Sequence, residues 1–433
     1  MPHEFKDYIP LVDARELLRA AVRVRPTRET IPVAGAFGRV LFEDVTSRVD
    51  IPAADSSHMD GYAVRSLDVA SASEGSPVAL KVVRGPPLGR SSKARVKGRE
   101  AHAVLTGGFV PDGADAVIES ERVKLLPESG EILVSKPVRK GEFIFAKGRD
   151  IRKGELVLEK GRVLRGADLV LLATLHIDRV GVYRRPRVAI IPTGNELSTK
   201  IRGTEPGMVV ETHSLLLSRL VEGAGGNPVV FPIARDRIED IEATIRRALK
   251  DCDLVMTLAG SSVGEADLTE SAINNLGKPG VIVHGMKVSR GRVMGFGAIG
   301  GKAVIILPGP IQGCVNAFTL MAYPVIRSFL GRGFEDLATL PAVVGTDWDA
   351  NIQYPDFTKI VYGRVSAVGD GLVVDPSKGE SEKITFLTRN DCYVVVAEDK
   401  LSLRKGERVR VNLLPGLSSL AALEPPRTGS TSP

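Results

Sequence analysis

Residues 187–332 alternate two kinds of hydrophobic segment, and that alternation narrows the fold more than any other feature. The segments 188–192, 229–233, 254–258, 281–284 and 303–307 are short and largely apolar, as strands covered on both faces must be. Between them lie stretches with helical spacing: 212–222, then Ile238, Ile241, Ile245 and Leu249 at intervals of three, four and four, then 268–276. Asp236 with Glu239 three residues on predicts a capping box for the middle one. Strand and helix in turn predict a doubly wound α/β domain, with ligands at the carboxyl ends of its strands. A last helix carries Val315, Phe318, Ala322, Val325 and Phe329, and Pro324 predicts a kink in it.

The flanks read differently. At the start, Asp13 and Glu16 predict a capping box, with Leu17, Leu18, Ala21 and Val22 as the apolar stripe. A short second helix is expected around 33–41. From 47 to 139 come short β-branched runs (78–83, 102–105, 116–119, 132–134) broken by Gly and Pro, which predict a β-rich module. Helical sequence returns at 167–175, so this module reads as an insertion. Beyond 331–333 the runs 342–345, 358–365, 371–374, 392–397 and 407–413 predict a small barrel or sandwich. The expected architecture is multidomain α/β plus β. It has a discontinuous helical domain (1–47 with 140–182), an inserted β domain (48–139), the doubly wound α/β domain (183–332) and a C-terminal small β-barrel (336–424). A polar tail, 425–433, is expected to be disordered.

Charge and composition narrow the function. The 58 Lys and Arg exceed the 52 Asp and Glu by six, without any Lys/Arg block. That balance favours a small anionic ligand over nucleic acid, and the scattered aromatic residues give no base-stacking cluster. No run of 18 apolar residues suggests a membrane span. The opening MPHEFKDYIP lacks the apolar core of a signal peptide, so a cytoplasmic protein is expected. Cys252, Cys314 and Cys392 are too few and too far apart for a disulfide framework, and no C-x-x-C occurs. The six histidines never fall at i, i+4, so any metal is expected to be a hard cation on oxygen ligands.

Four segments combine tight-turn glycines with polar side chains at strand ends or in loops. They are 55–64 (DSSHMDGYAV), 106–117 (TGG…PDGADAV), 192–197 (PTGNEL) and 259–267 (AGSSVGEAD). The first two also read as ordinary turns. Glu196 directly follows the first α/β strand, where a ligand-directed or a plain surface carboxylate would stand. The fourth lies between a buried strand and a helix. Its small residues suit either a phosphate cradle at a helix N-terminus or a structural turn.

In series these segments resemble the molybdopterin molybdenumtransferase family, MoeA, to which the C-terminal half of gephyrin also belongs. The pattern is D-x-S-x-MDGYAV, TG followed by P-x-GADAV, PTG-[DN]-E, and G-x-SVG-x-x-D, in this order to about residue 423. The resemblance implies the four-domain layout above, a homodimer, and an active site shared between the α/β domain of one subunit and the inserted domain of its partner. It implies insertion of molybdate, or tungstate, into adenylylated molybdopterin with Mg²⁺-assisted loss of AMP. The molybdopterin adenylyltransferase is then a candidate partner. Position by position, it assigns Asp60, Glu196 and Asp267 as catalytic, and Asp60, Asp150, Glu196 and Asp267 as metal ligands. Thr106, Gly260, Ser261, Ser262, Gly264, Arg290 and Arg292 become substrate-binding.

This chain also departs from the family pattern. Leu258-Ala259-Gly260 stands where SGG is common, and Ser289-Arg290-Gly291-Arg292-Val293 where K-P-G-[KR]-P is expected. Leu307-Pro308-Gly309-Pro310-Ile311-Gln312-Gly313 replaces LPG-N-P-V-S, and Glu211-Thr212-His213-Ser214 replaces E/D-[ST]-N-S. Arg290 and Arg292, flanking Gly291 in an expected turn between two strands, are the candidates to replace the missing lysine charge, both from one side if the segment stays extended past Gly291; the alternative is that they are solvated turn charges. The alternative is a MoeA-like paralogue that binds molybdopterin or its nucleotide without efficient turnover. An adenylyltransferase acting one step earlier shares the α/β domain but not the four-domain layout.

Overall fold

In the strand Arg187–Pro192 successive side chains point to opposite faces, and both faces are covered. Val188 and Ile190 join a core with the helices Leu11–Ala21 and His213–Ala224 and the 311–329 segment. Ala189 and Ile191 join another with Ile238–Asp251 and Val263–Leu276. Burying each such isoleucine is worth about 1.5–3 kcal/mol, which is why these strands are apolar throughout. A computed structural model describes residues 8–83, 95–258, 263–350, 354–379 and 383–414, apart from the side chains of 263–267. It divides the chain into two units: Met1–Thr30, Gly38–Phe42 and Gly181–Pro433 in one, Ile31–Phe37 and Glu43–Val180 in the other.

The larger unit carries a six-stranded sheet, in the order Asn227–Val230, Arg187–Pro192, Leu254–Leu258, Lys302–Leu307, Gly295–Ile299, Pro279–His284. The first four strands are parallel, and Gly295–Ile299 runs against both its neighbours. That strand has no signature in the sequence, because GFGAI carries two glycines. A Cβ on Gly295 or Gly297 would meet the adjacent strand's backbone carbonyls at 2.7 and 2.4 Å, so close approach demands glycine there.

Several sequence expectations at helix ends are corrected. Pro10, not Asp13, holds the N-cap position of Leu11–Ala21, and Asp13 lies in the first turn. Arg237, not Asp236, precedes Ile238–Asp251, and no side-chain cap forms there. Only a 3₁₀ turn, Val33–Gly35, forms where a helix to 41 was expected; Gly38, at φ +70°, breaks the run. The last helix is not simply kinked. Ile311–Ala317 and Tyr323–Phe329 are joined by a π segment, Phe318–Ala322, just before Pro324. A proline lacks the amide that would reach back one turn, and its ring crowds the carbonyl four residues earlier.

A closed five-stranded barrel follows, ordered Thr339–Val344, Gly371–Pro376, Lys359–Val368, Cys392–Val396, Arg408–Leu413. Val344, Val361, Val365, Val374, Val394 and Val411 fill it.

The smaller unit holds a second six-stranded sheet: Ala116–Glu119, Gly61–Val64, Glu100–Val104, Val78–Val83, Glu131–Val134, Val123–Leu126. Val64, Leu80, Ala101, Ile118 and Ile132 form its core. Gly61 packs so tightly on the neighbouring strand that a Cβ would lie 1.9 Å from the Ile118 carbonyl oxygen. The helix Gly166–Thr174 completes this unit, with the buried Asp168 accepting from the Arg162 guanidinium and the Arg165 amide at 2.8–3.0 Å.

Candidate functional site

In the smaller unit, Asp60 ends the turn that leads into Gly61–Val64. The Ser57 hydroxyl braces that turn, donating to the Met59 carbonyl and accepting from the Met59 amide. The sheet then brings the turn to the loop after Glu100–Val104, since Gly61 lies opposite Val104. Thr106 donates to Asp60 Oδ1 twice, from its backbone amide at 2.6 Å and its hydroxyl at 2.7 Å. These bonds hold the Asp60 carboxyl below the usual aspartate range, the amide more strongly than the hydroxyl. No hydrogen bond to Oδ2 occurs among the described residues, and the Asp60 side stands exposed.

Gly107 and Gly108 stitch the two loops together: the Gly107 amide donates to the Ser57 carbonyl, and the Ser57 amide to that of Gly108. Gly107 needs φ +77°, and a Cβ on Gly108 would strike the Leu105 carbonyl oxygen at 2.8 Å. The GADAV aspartate, Asp115, is structural, accepting from the Ser66 amide and hydroxyl. Asp150 is exposed, its amide on the Ile51 carbonyl. Among the described residues no three His, Cys, Asp or Glu lie close enough together to hold a metal ion.

In the larger unit, Glu196 follows the carboxyl end of Arg187–Pro192. Its carboxylate folds back over Gly194: a Cβ there would lie 2.6–2.7 Å from both carboxylate oxygens, and φ is +148°. The loop is fixed on both sides. Thr193 donates to the Leu258 carbonyl from its hydroxyl, and the Asn195 amide donates to Asp236 at 2.7 Å. The aspartate read as a helix cap thus serves the strand-end loop instead.

Gly260, Ser261 and Ser262 lie outside the described residues, whereas Gly264 and Asp267 fall on the helix Val263–Leu276 with their side-chain surroundings undescribed. The 289–293 run forms the turn expected there and does not stay extended past Gly291: Arg290 sits at φ +57° and Gly291 at +151°. The two arginines therefore do not share one side. Arg290 is directed onto Gln312 and Gly379, while Arg292 is exposed and bonded to the Tyr354 hydroxyl.

Two further contacts concern the rebuilt loops and were not anticipated. His213 Nε2 is 2.8 Å from the Gly309 carbonyl, so that nitrogen carries the proton. The Glu211 carboxylate caps the Ser214 amide at 2.9 Å. A capping pattern three residues apart could have revealed the second; the first joins positions 96 residues apart. The three cysteines are free and buried, and burial pushes the Cys314 thiol far up, out of nucleophilic use.

The chain thus combines an α/β sheet with a carboxylate at a strand end, a closed barrel, and a second sheet that carries a hydrogen-bonded aspartate. Comparison makes the class specific. The MoeA N-terminal region (domains I and II) matches residues 9–175, the "Probable molybdopterin binding domain" 189–328, and the MoeA C-terminal region (domain IV) 342–414. A molybdopterin molybdenumtransferase of a Nostoc species is 30% identical over 345 residues, 77% of this chain and 78% of that protein. The Bacillus subtilis molybdopterin molybdenumtransferase is 28% identical over 389 residues, 89% and 90% of the two chains. The crystal structure of the molybdopterin biosynthesis MoeA protein from Pyrococcus horikoshii superposes with a TM-score of 0.81 at 34% identity, covering 94% of this chain and 99% of that one. This chain belongs to the MoeA family of molybdopterin molybdenumtransferases.

Proposed function

We propose that this protein is a transferase of molybdenum cofactor biosynthesis that inserts molybdenum from molybdate into adenylylated molybdopterin and releases AMP. The observation that carries the reading is the pairing of Asp60 with Thr106, which joins two of the family's segments across 46 residues. An aspartate held ionised and aimed by two donors is what a site for a cation and an oxyanion needs. Glu196 supplies a second carboxylate at a strand end, with room to fold back because Gly194 has no side chain.

Magnesium suits these donors, all hard oxygens, with Asp60 Oδ2 still open. Asp60 and Glu196 would hold it, with Asp150 and Asp267 as further ligands. Bound there, it would neutralise charge on the phosphate oxygens as AMP leaves. Thr106 keeps Asp60 charged and oriented, and Gly260, Ser261, Ser262 and Gly264 would offer backbone amides to the nucleotide phosphates. The proposed assembly is a homodimer, the proposed partner the molybdopterin adenylyltransferase, and the proposed location the cytoplasm. Tungstate, an oxyanion of similar size and charge, is expected to compete with molybdate. No helix among the described residues is long and apolar enough to cross a membrane.

One observation favours the second reading, a paralogue that binds without efficient turnover: the Arg290 guanidinium is taken up by protein acceptors. Asp60→Ala and Glu196→Ala decide the assignment of the carboxylates. Each is expected to lower the insertion rate at least about tenfold, equivalent to about 1.4 kcal/mol of barrier, while the melting temperature stays close to that of the parent. Unchanged rates in both purified variants would remove these residues from the site.

A further inference from the structure

Arg290 is placed to hold protein rather than ligand. Its backbone is left-handed, φ +57°, a region that disfavours a long side chain unless its surroundings fix it. Nη1 donates to Gln312 Oε1, Nη2 donates to the Gly379 carbonyl, and the guanidinium lies over the Phe386 ring, 5.1 Å from its centroid. The Arg290 carbonyl accepts from Asn316 Nδ2 at 2.6 Å, and Asn316 Oδ1 accepts from the Tyr362 hydroxyl at 2.7 Å. Gln312 and Asn316 are buried in the helix Ile311–Ala317, and Tyr362 in the barrel strand Lys359–Val368. One residue thus ties the 289–293 turn to the rebuilt loop after Lys302–Leu307, to the barrel and to the helix Ile384–Thr388.

The turn itself is closed by two bonds of 2.8 Å, Met294 amide to Gly291 carbonyl and Met286 amide to Arg292 carbonyl. Gly291 and Gly313 meet backbone to backbone: a Cβ on Gly313 would be 3.5 Å from the Gly291 Cα. Arg292, by contrast, is exposed. Among the described residues it makes one side-chain bond, to the Tyr354 hydroxyl, and it lies over that ring at 4.9 Å.

We propose that Arg290 is a positioning residue, fastening the turn so that Arg292 is the cation presented to the anionic nucleotide. The proposal rests on the transferase reading and narrows it. Arg290 donates to a protein acceptor from each of Nη1 and Nη2 and is stacked on Phe386, so it is held by protein, whereas Arg292 is exposed and can exchange one neutral partner for a charged one. The rebuilt 307–313 loop and the altered 289–293 run then compensate each other, because Gln312 is the acceptor that Arg290 requires.

A double-mutant cycle separates positioning from direct contact. Titration with adenylylated molybdopterin is expected to show Arg292→Ala weakened roughly tenfold to hundredfold and Arg290→Ala about tenfold. The double variant is expected to fall within about twofold of Arg292→Ala alone, because positioning is worthless once Arg292 is gone. Multiplying losses, or parent-like binding by Arg290→Ala, would overturn the proposal. Hydrogen exchange of the 289–294 amides gives a ligand-independent arm: faster in Arg290→Ala, unchanged in Arg292→Ala. If the parent itself does not bind adenylylated molybdopterin, the transferase reading fails, and unchanged exchange in Arg290→Ala would separately overturn the clamp. Should Arg290→Ala fail to fold, Arg290→Gln, which keeps one donor, takes its place in the cycle.

Discussion

At the scale of single residues, the central fact is the charge state of Asp60. An ordinary aspartate titrates near pH 4; Asp60 titrates lower because two donors of Thr106 stabilise its ionised form. It therefore remains a carboxylate throughout the neutral and mildly acidic range, ready to meet a cation. Thr106→Val removes the hydroxyl donor and keeps the amide. The Asp60 midpoint, followed by carbon-13 NMR of the carboxyl group, is expected to rise in that variant yet stay below the ordinary value. A midpoint identical to the parent's would mean that the hydroxyl bond does not form in solution. The sequence marked Asp60 and Thr106 as separate members of a pattern, but not that they touch. Their contact depends on the register of Gly61–Val64 against Glu100–Val104, which no local spacing encodes. His213 and Gly309, or Arg290 and Gln312, are hidden for the same reason.

At the scale of elements, the glycines that flank these residues matter as much as the residues themselves. Gly61 is not there for turn geometry alone. Its missing side chain lets Gly61–Val64 pair with Ala116–Glu119 beside Ile118. Gly61→Ala is expected to cost about 3 kcal/mol or more, measured by denaturant unfolding, because backbone rather than a movable side chain stands in the way. A cost below about 1 kcal/mol would mean that the two strands separate easily.

The elements legible from sequence were those with an unbroken apolar signal, such as Leu254–Leu258 and Lys302–Leu307, because both of their faces are buried. Gly295–Ile299 has no such signal, because close packing demands glycines there and glycines erase strand propensity. The helix starts differ from the sequence reading because Pro10 and Arg237 hold the N-cap positions, with Asp13 inside the first turn and Asp236 accepting from the Asn195 amide instead. Small-residue loops gave a motif but no geometry.

At the scale of the whole molecule, the assigned residues divide between the two units: Asp60, Thr106 and Asp150 in one, Glu196, Asp267, Arg290 and Arg292 in the other. If the site is completed by a partner subunit, the halves can be supplied by different chains. Mixing inactive Asp60→Ala and inactive Glu196→Ala protein, after dissociation and reassociation, is then expected to restore about a quarter of the parental insertion rate. That share follows because random pairing makes half the dimers mixed, and each mixed dimer carries one intact site. No recovery would argue that each chain builds its site alone.

The most direct test of the account is the coupling of molybdate to AMP release. Purified protein is incubated with adenylylated molybdopterin and Mg²⁺, with and without molybdate, and both AMP and dithiolene-bound molybdenum are measured. AMP is expected only when molybdate is supplied, mole for mole with the molybdenum inserted. Nucleotide that stays bound and intact when molybdate and Mg²⁺ are both present would contradict it, and would make the protein a carrier of the pterin rather than its metal-inserting enzyme.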